Sequence, residues 1–361
     1  MNNILIVNKE QYGYHIDTYK YCTYLSGEFN IKYICWDEDK SRITTDGVSC
    51  VYLKREGNVI NRFRILLNSI NQEISQNNFD VVFVVYFPGC SILRLLNPNA
   101  VFNMDIRTIA VTENKIKNIL LDKLLKFESL IFKNISVISE ETGKQVKIKD
   151  FFVLPLGGDC LVTSDISLKN LNLIYVGTLS NRNILNLVVG FHAYIKNYPL
   201  ERISTLTIIG DGINNELQIL NKYINDNALN DLVFTTGYIQ NNKLGSYVEK
   251  ASCGVSYVPI TPYFQNQPPT KTYEYLLSGL PVIATNTLAN AKIVNSSNGI
   301  LIQDNVEAIS KGIFEISKRL DLYDSNQIKK GMEKSLWKNI VMEILRPYLI
   351  SIIRKKKLKG P

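Results

Sequence analysis

The chain has 361 residues, of which 45% are hydrophobic and 20% charged, and its 41 Lys and Arg against 33 Asp and Glu give a formal net charge of +8. That balance excludes a disordered tail, a collagen-like fibre and a disulfide miniprotein, and the length, about twice what one hydrophobic core comfortably serves, predicts two domains. No stretch reaches the roughly 18 uninterrupted apolar residues of a membrane span. The start, Met-Asn-Asn-Ile-Leu-Ile-Val, has no basic leader before its apolar run, so a cytoplasmic protein without a signal peptide is expected. Six cysteines (Cys22, Cys35, Cys50, Cys90, Cys160, Cys253) form no Cys-x-x-Cys pair, and only two histidines accompany them. They are read as reduced core residues, not as a zinc site or a disulfide frame.

Strands and helices alternate from the first residue. An apolar run at 3–7 is followed by a loop and a helical stretch at 18–25; 31–36 is strand-like, Val59–Gln76 helical, and 80–86 is a continuous β-branched and aromatic run of the kind buried on both faces of a parallel sheet. Residues 100–104 repeat that character. Ile116, Ile119, Leu120, Leu124, Phe127, Leu130 and Ile131 then fall at helical spacing, and Lys115, Lys117, Lys123, Lys126 and Lys133 of the same stretch are read either as solvated or, with the basic tail, as a rest against anionic lipid that brings the cleft to a lipid-linked glycan. The run 151–154 ends at Pro155, and Gly157-Gly158 follow as the best candidate hinge. Beyond it the alternation restarts with strands at Leu171–Val176, 206–209, 232–235, 252–257 and Val282–Thr285. Two Rossmann-like α/β domains facing each other across a cleft are the economical architecture, because open parallel sheets bind ligands outside the carboxyl ends of their strands. The expected division is 1–156, 157–330, and 331–361 as a C-terminal helix and basic tail. A long helix over 326–355, with Trp337 early in it, is predicted to cross back onto the first domain.

The tail residues Arg354, Lys355, Lys356, Lys357 and Lys359 follow an apolar stretch. Such a tail attracts any anion or is simply solvated; with no nucleic-acid fold signature elsewhere, an anionic membrane surface is favoured over nucleic acid as partner.

Candidate chemistry lies at strand ends. In the first half, Gly13 follows the first strand and His15 stands beside it, placed to take a proton or to hydrogen-bond a sugar hydroxyl; the bland alternative is a half-buried histidine. This is not the Gly-x-Gly-x-x-Gly dinucleotide fingerprint, so a nicotinamide-linked dehydrogenase loses its main support. Asp105 and Arg107 end another strand, as a functional acid and base or as a structural ion pair. In the second half, Gly177 and Thr178 end a strand and Arg182 comes near the start of the following helix, where a diphosphate gains both the dipole and a guanidinium fork. Gly210-Asp211-Gly212 and Gly237-Tyr238-Ile239 end two further strands, the last offering a ring to a nucleobase. The most specific segment is 268–285: Pro268 and Pro269 hold the approach rigid, Thr270 is a candidate N-cap, Lys271 and Glu274 come one turn apart, and Gly279 and Pro281 close the helix and open the next strand. A carboxylate there suits the two hydroxyls of a ribose.

The order Tyr-Val-Gly-Thr-Leu (175–179), Ile-Ile-Gly-Asp-Gly (208–212) and Lys-Thr-Tyr-Glu-Tyr-Leu-Leu-Ser-Gly-Leu-Pro-Val-Ile-Ala-Thr (271–285) resembles the GT-B glycosyltransferases of family 4, also called group 1. The resemblance is specific over about residues 171–302 and topological elsewhere. It implies a nucleotide-sugar in the second domain, with Glu274 on the ribose, Arg182 on the diphosphate, Tyr238 beside the base, and Gly177, Thr178, Gly210, Gly212, Ile239, Thr270 and Lys271 around it. It places an acceptor in the first domain near Gly13, His15, Asp105 and Arg107, and makes residues 154–159 similar to the interdomain linker. One departure stands out: the family often carries a second glutamate eight positions before the first, and this chain has Asn266 there. Asp37-Glu38-Asp39 has the Asp-x-Asp spacing of metal-dependent transferases of another fold, but it lies far from the donor segment and is read as solvated charge. No metal and no other cofactor is expected. Arg182, Lys271 and helix N-termini supply the positive charge for a departing diphosphate.

The implied activity is transfer of a sugar from a UDP- or GDP-linked donor to a hydroxyl of a glycan or lipid-linked glycan, with retention of configuration. The implied setting is synthesis of bacterial surface polysaccharide, lipopolysaccharide or capsule, in the cytoplasm or peripherally on the inner membrane face. The leaving phosphate, Asp105 or His15 would deprotonate the acceptor. The rivals are a nucleotide-sugar 2-epimerase of similar body and a non-catalytic scaffold subunit.

Overall fold

A computed structural model describes residues 1–109, 115–164, 166–199, 203–266 and 269–358. Pro268 and Lys359, singled out above, lie outside the described residues, as do the side chains of Lys115, Lys356 and Lys357. The chain divides into two units, 1–156 with 337–361, and 157–336.

The first unit runs β1 (Asn2–Val7), α1 (Ile16–Leu25), β2 (Phe29–Asp37), β3 (Val48–Lys54), α2 (Val59–Gln76), β4 (Val81–Val85), α3 (Ser91–Leu96), β5 (Phe102–Ile106), α4 (Lys115–Ser129), β6 (Asn134–Val137), α5 (Glu140–Val146) and β7 (Phe152–Val153). Its seven strands form one sheet in the order β3-β2-β1-β4-β5-β6-β7, every ladder parallel. Ile4 pairs with Ile31 on one side and Val81 on the other, so the strand order reverses between β1 and β4. The apolar run at β4 is buried as a central parallel strand requires, with Val81, Val82 and Val84 fully covered. The second unit runs β8 (Leu171–Val176), α6 (Ile184–Asn197), β9 (Ser204–Ile209), α7 (Glu216–Asp226), β10 (Val233–Thr235), α8 (Gly245–Val248), β11 (Cys253–Ser256), α9 (Pro262–Gln265), α10 (Thr270–Leu277), β12 (Val282–Thr285), β13 (Gly299–Ile302), α11 (Val306–Arg319) and α12 (Ser325–Met332). Its parallel sheet is ordered β10-β9-β8-β11-β12-β13 and reverses between β8 and β11.

One expectation is corrected. The predicted long helix over 326–355 is not continuous. After α12 the backbone turns extended at Leu336, then restarts as one turn, α13 (Trp337–Asn339), passes through a wide π-type segment at Ile340–Leu345 and ends in α14 (Arg346–Leu358). The break lets Trp337, 1% exposed, seat edge-on against Tyr21 of α1 with ring centroids 6.2 Å apart.

The apolar stripe of α4 does not face the core. Ile116, Ile119, Leu120, Leu124, Phe127 and Leu130 are all exposed, while Leu125, Glu128 and Ser129 point inward. The inward pull is polar. The Glu128 carboxylate accepts from the backbone N–H of Gly89 (2.9 Å) and Ser91 (3.2 Å), from the Ser91 hydroxyl (2.7 Å) and from the Tyr86 hydroxyl (3.1 Å). A buried carboxylate with four donors is held firmly, and a helical period count cannot see it.

Trp337→Ala should cost about 3–5 kcal/mol of stability through the cavity it leaves against α1. Urea denaturation checks this, and an unmoved midpoint would mean that the segment contributes nothing by docking there.

Candidate functional site

In the second unit a cavity of about 270 Å³ opens where the strand order reverses. Its walls are the carboxyl ends of β8 (Tyr175 to Thr178) and β11 (Val255 to Val258), with Arg182, Phe264 and the start of α10 at Pro269, Thr270 and Lys271. A second cavity adjoins it, lined by Gly177, Gly210, Asp211, Tyr238, Ile239 and again Lys271. A crevice at the switch point of an open parallel sheet is where this architecture binds ligands.

The glycines there have defined tasks. Gly210 has φ +151, and a Cβ built on it would lie 1.8 Å from the Gly177 carbonyl oxygen, so no side chain fits. Its N–H donates to the Gly237 carbonyl (2.9 Å) and the Gly177 N–H donates to Ile209 (3.0 Å), which ties three strand ends into one floor. Gly212 is crowded differently, its added Cβ meeting the Glu216 carboxylate at 2.3 Å. Tyrosines brace the floor from beneath: the Val176 N–H donates to the Tyr275 hydroxyl (2.8 Å), and the Tyr175 hydroxyl donates to the Thr178 carbonyl (2.8 Å).

Helix α10 begins one residue earlier in role than its sequence suggests. Thr270 is not the N-cap; Pro269 is, and no side chain accepts from the first turn. Its positive end therefore meets the cavity beside Lys271. The helix is fixed in place by a relay in which the hydroxyls of Ser256 and Thr272 bond to each other (2.6 Å), Thr272 donates to Asn290 (3.0 Å), and Asn290 donates to the Thr285 carbonyl (2.9 Å). Glu274 is 3% exposed and is not on the cavity wall; it sits one turn behind, ion-paired with the Lys271 ammonium. The i,i+3 spacing puts both on one helix face, so the pair follows from the helix itself. Arg182 lies over the Phe264 ring with its guanidinium carbon 4.3 Å from the centroid, and both residues line the cavity. Phe264 was not among the expected residues. Its signal was readable in Thr261-Pro262, where the Thr261 side chain accepts from the Phe264 N–H and proline occupies the first turn. Tyr238 is 75% exposed, a free ring face at the rim.

The first unit has its own cavity of about 270 Å³ at the β1/β4 reversal, lined by Asn8, Lys9, Glu10, His15, Tyr86 and Arg107 together with Leu121 and Leu125 of α4. His15 is there, but as the N-cap of α1: its Nδ1 accepts from the Thr18 N–H (3.4 Å). Nε2 is the ring nitrogen left over for a ligand. Gly13 is not on the wall of this cavity; at φ +91 it makes room for Ile43, whose Cδ1 a Cβ would meet at 2.4 Å. Asp105 is fully buried and off the cavity wall, which removes it as catalytic base or acceptor contact. Its Oδ1 accepts from Ser136 (2.6 Å), while Oδ2, 3.9 Å from Arg107 Nε, makes no hydrogen bond. Arg107 is the shared member of this cluster, donating from Nε to Asp17 (2.6 Å) and from Nη1 to the Leu154 carbonyl (2.6 Å). Here the structural ion pair is what the strand end holds.

Asp37 and Glu38 pair with Arg42 (2.5 Å) and Lys40 (2.6 Å). Among the described residues no three His, Cys, Asp or Glu side chains come together as a metal site.

Residues 170–319 match the family of glycosyl transferases group 1. Solved structures similar over nearly the whole chain include sucrose-phosphate synthase from Thermosynechococcus elongatus (12% identity, TM-score 0.76, covering 98% of this chain and 100% of that one), Anabaena HepE in complex with UDP and glucose (12%, 0.74, 96% and 99%) and a glycosyltransferase from Rickettsia africae (17%, 0.73, 98% and 99%). No curated protein sequence matches at a significant level. The fold is GT-B. It is the second unit that carries the similarity to group 1 glycosyl transferases.

Two consequences are measurable. Gly210→Ala should lower the melting temperature, since a methyl cannot share space with the Gly177 carbonyl; wild-type behaviour in calorimetry would contradict that geometry. Burial raises the Asp105 carboxyl to about 6, against the pull of Arg107 and Ser136. The folded state therefore binds more protons than the unfolded one between 3.8 and about 6, and stability falls as pH rises through that window and levels above it. Asp105→Asn should flatten that part of the profile in urea midpoints; a slope unchanged in the variant would assign it to another group.

Proposed function

We propose that the chain transfers a sugar from a UDP- or GDP-linked donor, bound at the β8/β11 crevice, to a hydroxyl of a glycan or lipid-linked glycan acceptor bound at the β1/β4 cavity, with retention of configuration, in assembly of a bacterial surface polysaccharide. The observation that carries this reading is the meeting of Arg182, Lys271, a helix start without a side-chain cap and the close-packed Gly177/Gly210 floor around two adjoining cavities. Each of these groups suits a diphosphate, and together they stabilise the charge that develops as it leaves. Lys271 trades its Glu274 partner for phosphate, which frees the carboxylate to accept from the ribose hydroxyls. Tyr238 and Ile239 border the adjoining cavity where a base would lie.

In the transfer, the bond from the anomeric carbon to the β-phosphate oxygen breaks and a bond to the acceptor oxygen forms on the same face. The acceptor proton passes to the departing phosphate. Asp105 does not compete for it, because it is sealed and off the cavity wall. No metal is assigned a part. HepE, of similar fold, was crystallised with UDP and glucose, which supports a nucleotide-sugar here as well.

Isothermal titration with UDP and GDP tests the donor site. Arg182→Ala and Glu274→Ala should each weaken the tighter ligand by about ten-fold or more. Wild-type affinity in both variants would reject the assignment. Product configuration by NMR tests retention, and epimerised nucleotide-sugar formed without acceptor would favour the epimerase instead.

A further inference from the structure

We propose that the outer face of α4 docks on an anionic lipid bilayer, and that the acceptor entering the adjoining cavity is an amphiphile drawn from that bilayer. The second part rests on the transferase reading; the docking does not.

The argument starts from the inversion of α4. Ile116, Phe127 and Leu130 are 70%, 67% and 75% exposed, and Ile119, Leu120 and Leu124 join them. At 3.6 residues per turn, Ile116, Leu120 and Phe127 fall within about 40° of one another, so this is a continuous apolar ridge and not scattered side chains. Lys123 lies within the ridge, while Lys117 and Lys126 flank it on either side and Lys133 follows just beyond the helix; all four are exposed. The acids of the same helix are elsewhere: Glu128 is buried under its four donors, and Asp122 is half-buried on the cavity wall. The outer face therefore presents aliphatic and aromatic side chains among cations alone.

That combination selects an occupant. A helix lying in the headgroup region needs an apolar face to insert and lysines whose stems run along it toward anionic headgroups. A second copy of the same face would bring lysine against lysine, which disfavours self-association. The opposite side of α4 supplies Leu121, Asp122 and Leu125 to the β1/β4 cavity. One helix thus forms both the bilayer contact and a wall of the acceptor cavity, so an amphiphilic acceptor has only the thickness of α4 to travel.

Co-sedimentation of the full chain with sucrose-loaded vesicles tests the docking, using phosphatidylcholine alone and phosphatidylcholine mixed with phosphatidylglycerol. The double variants are Leu120→Ser with Phe127→Ser, and Lys123→Glu with Lys126→Glu; all four positions are exposed, so the fold should persist, and circular dichroism verifies it. The wild type should bind the anionic vesicles, the apolar variant should lose about ten-fold or more at every salt concentration, and the charge variant should lose the salt-sensitive part. Absence of wild-type binding, or binding that neither variant changes, overturns the proposal. So does a wild-type dimer in sedimentation velocity that the apolar variant dissolves, since the ridge would then be covered by a second copy. UDP titration on the same preparations separates the two readings: vesicle binding without UDP binding supports docking while rejecting the transferase assignment, and UDP binding without vesicle binding rejects docking alone.

Discussion

The approach of two backbones with no side chain between them, Gly210 against the carbonyl of Gly177, sets the geometry on which the donor crevice depends. With that contact made, Gly210 can reach the Gly237 carbonyl, and the ends of β8, β9 and β10 converge to a floor of peptide groups. A floor of this kind brings ligand and backbone close together, so amide dipoles and the start of α10 act at short range where water is excluded. Had any of these strands ended in a bulkier residue, the charged groups Arg182 and Lys271 would surround a wider, wetter space.

The two units solve the same topological problem with different interiors. The second seats its crevice on hydroxyl and amide relays, Ser256 to Thr272 to Asn290, which are neutral and fully paired. The first places an Arg107–Asp17–Asp105 cluster at the equivalent strand end and a four-donor carboxylate, Glu128, beneath its cavity. Ionic clusters this deep are rigid only while every partner stays in place, because removing one leaves a buried charge. Arg107 is therefore better understood as the keystone of that strand end than as a ligand contact, although its edge touches the cavity.

The helix and strand of 269–285 were legible in the sequence because their signals are local. Proline before a helix, glycine after it and a β-branched strand beyond are backbone preferences, and α10 and β12 fall where they point, with the cap one residue earlier than expected. The same holds for strand-end glycines, whose tight turns need no distant partner to be predicted. Phe264, by contrast, matters only through Arg182, eighty-two positions earlier, and nothing local announces that pair. Gly13 misled for a related reason: a glycine is required where the backbone turns left-handed, and the space it leaves is filled by Ile43, thirty residues on.

Alternation of apolar runs determined by itself that this chain builds two parallel sheets, since side-chain period and strand length are properties of the backbone. Which way α4 faces, that Asp105 is sealed, and where the C-terminal segment breaks were decided by tertiary structure alone. In each case a polar or bulky group finds its partner far along the sequence: Glu128 at Gly89 and Ser91, Arg107 at Asp17, Trp337 at Tyr21. Hydrophobic period reports how much apolar surface a helix carries; only the satisfied carboxylate on its other side fixes which face turns inward.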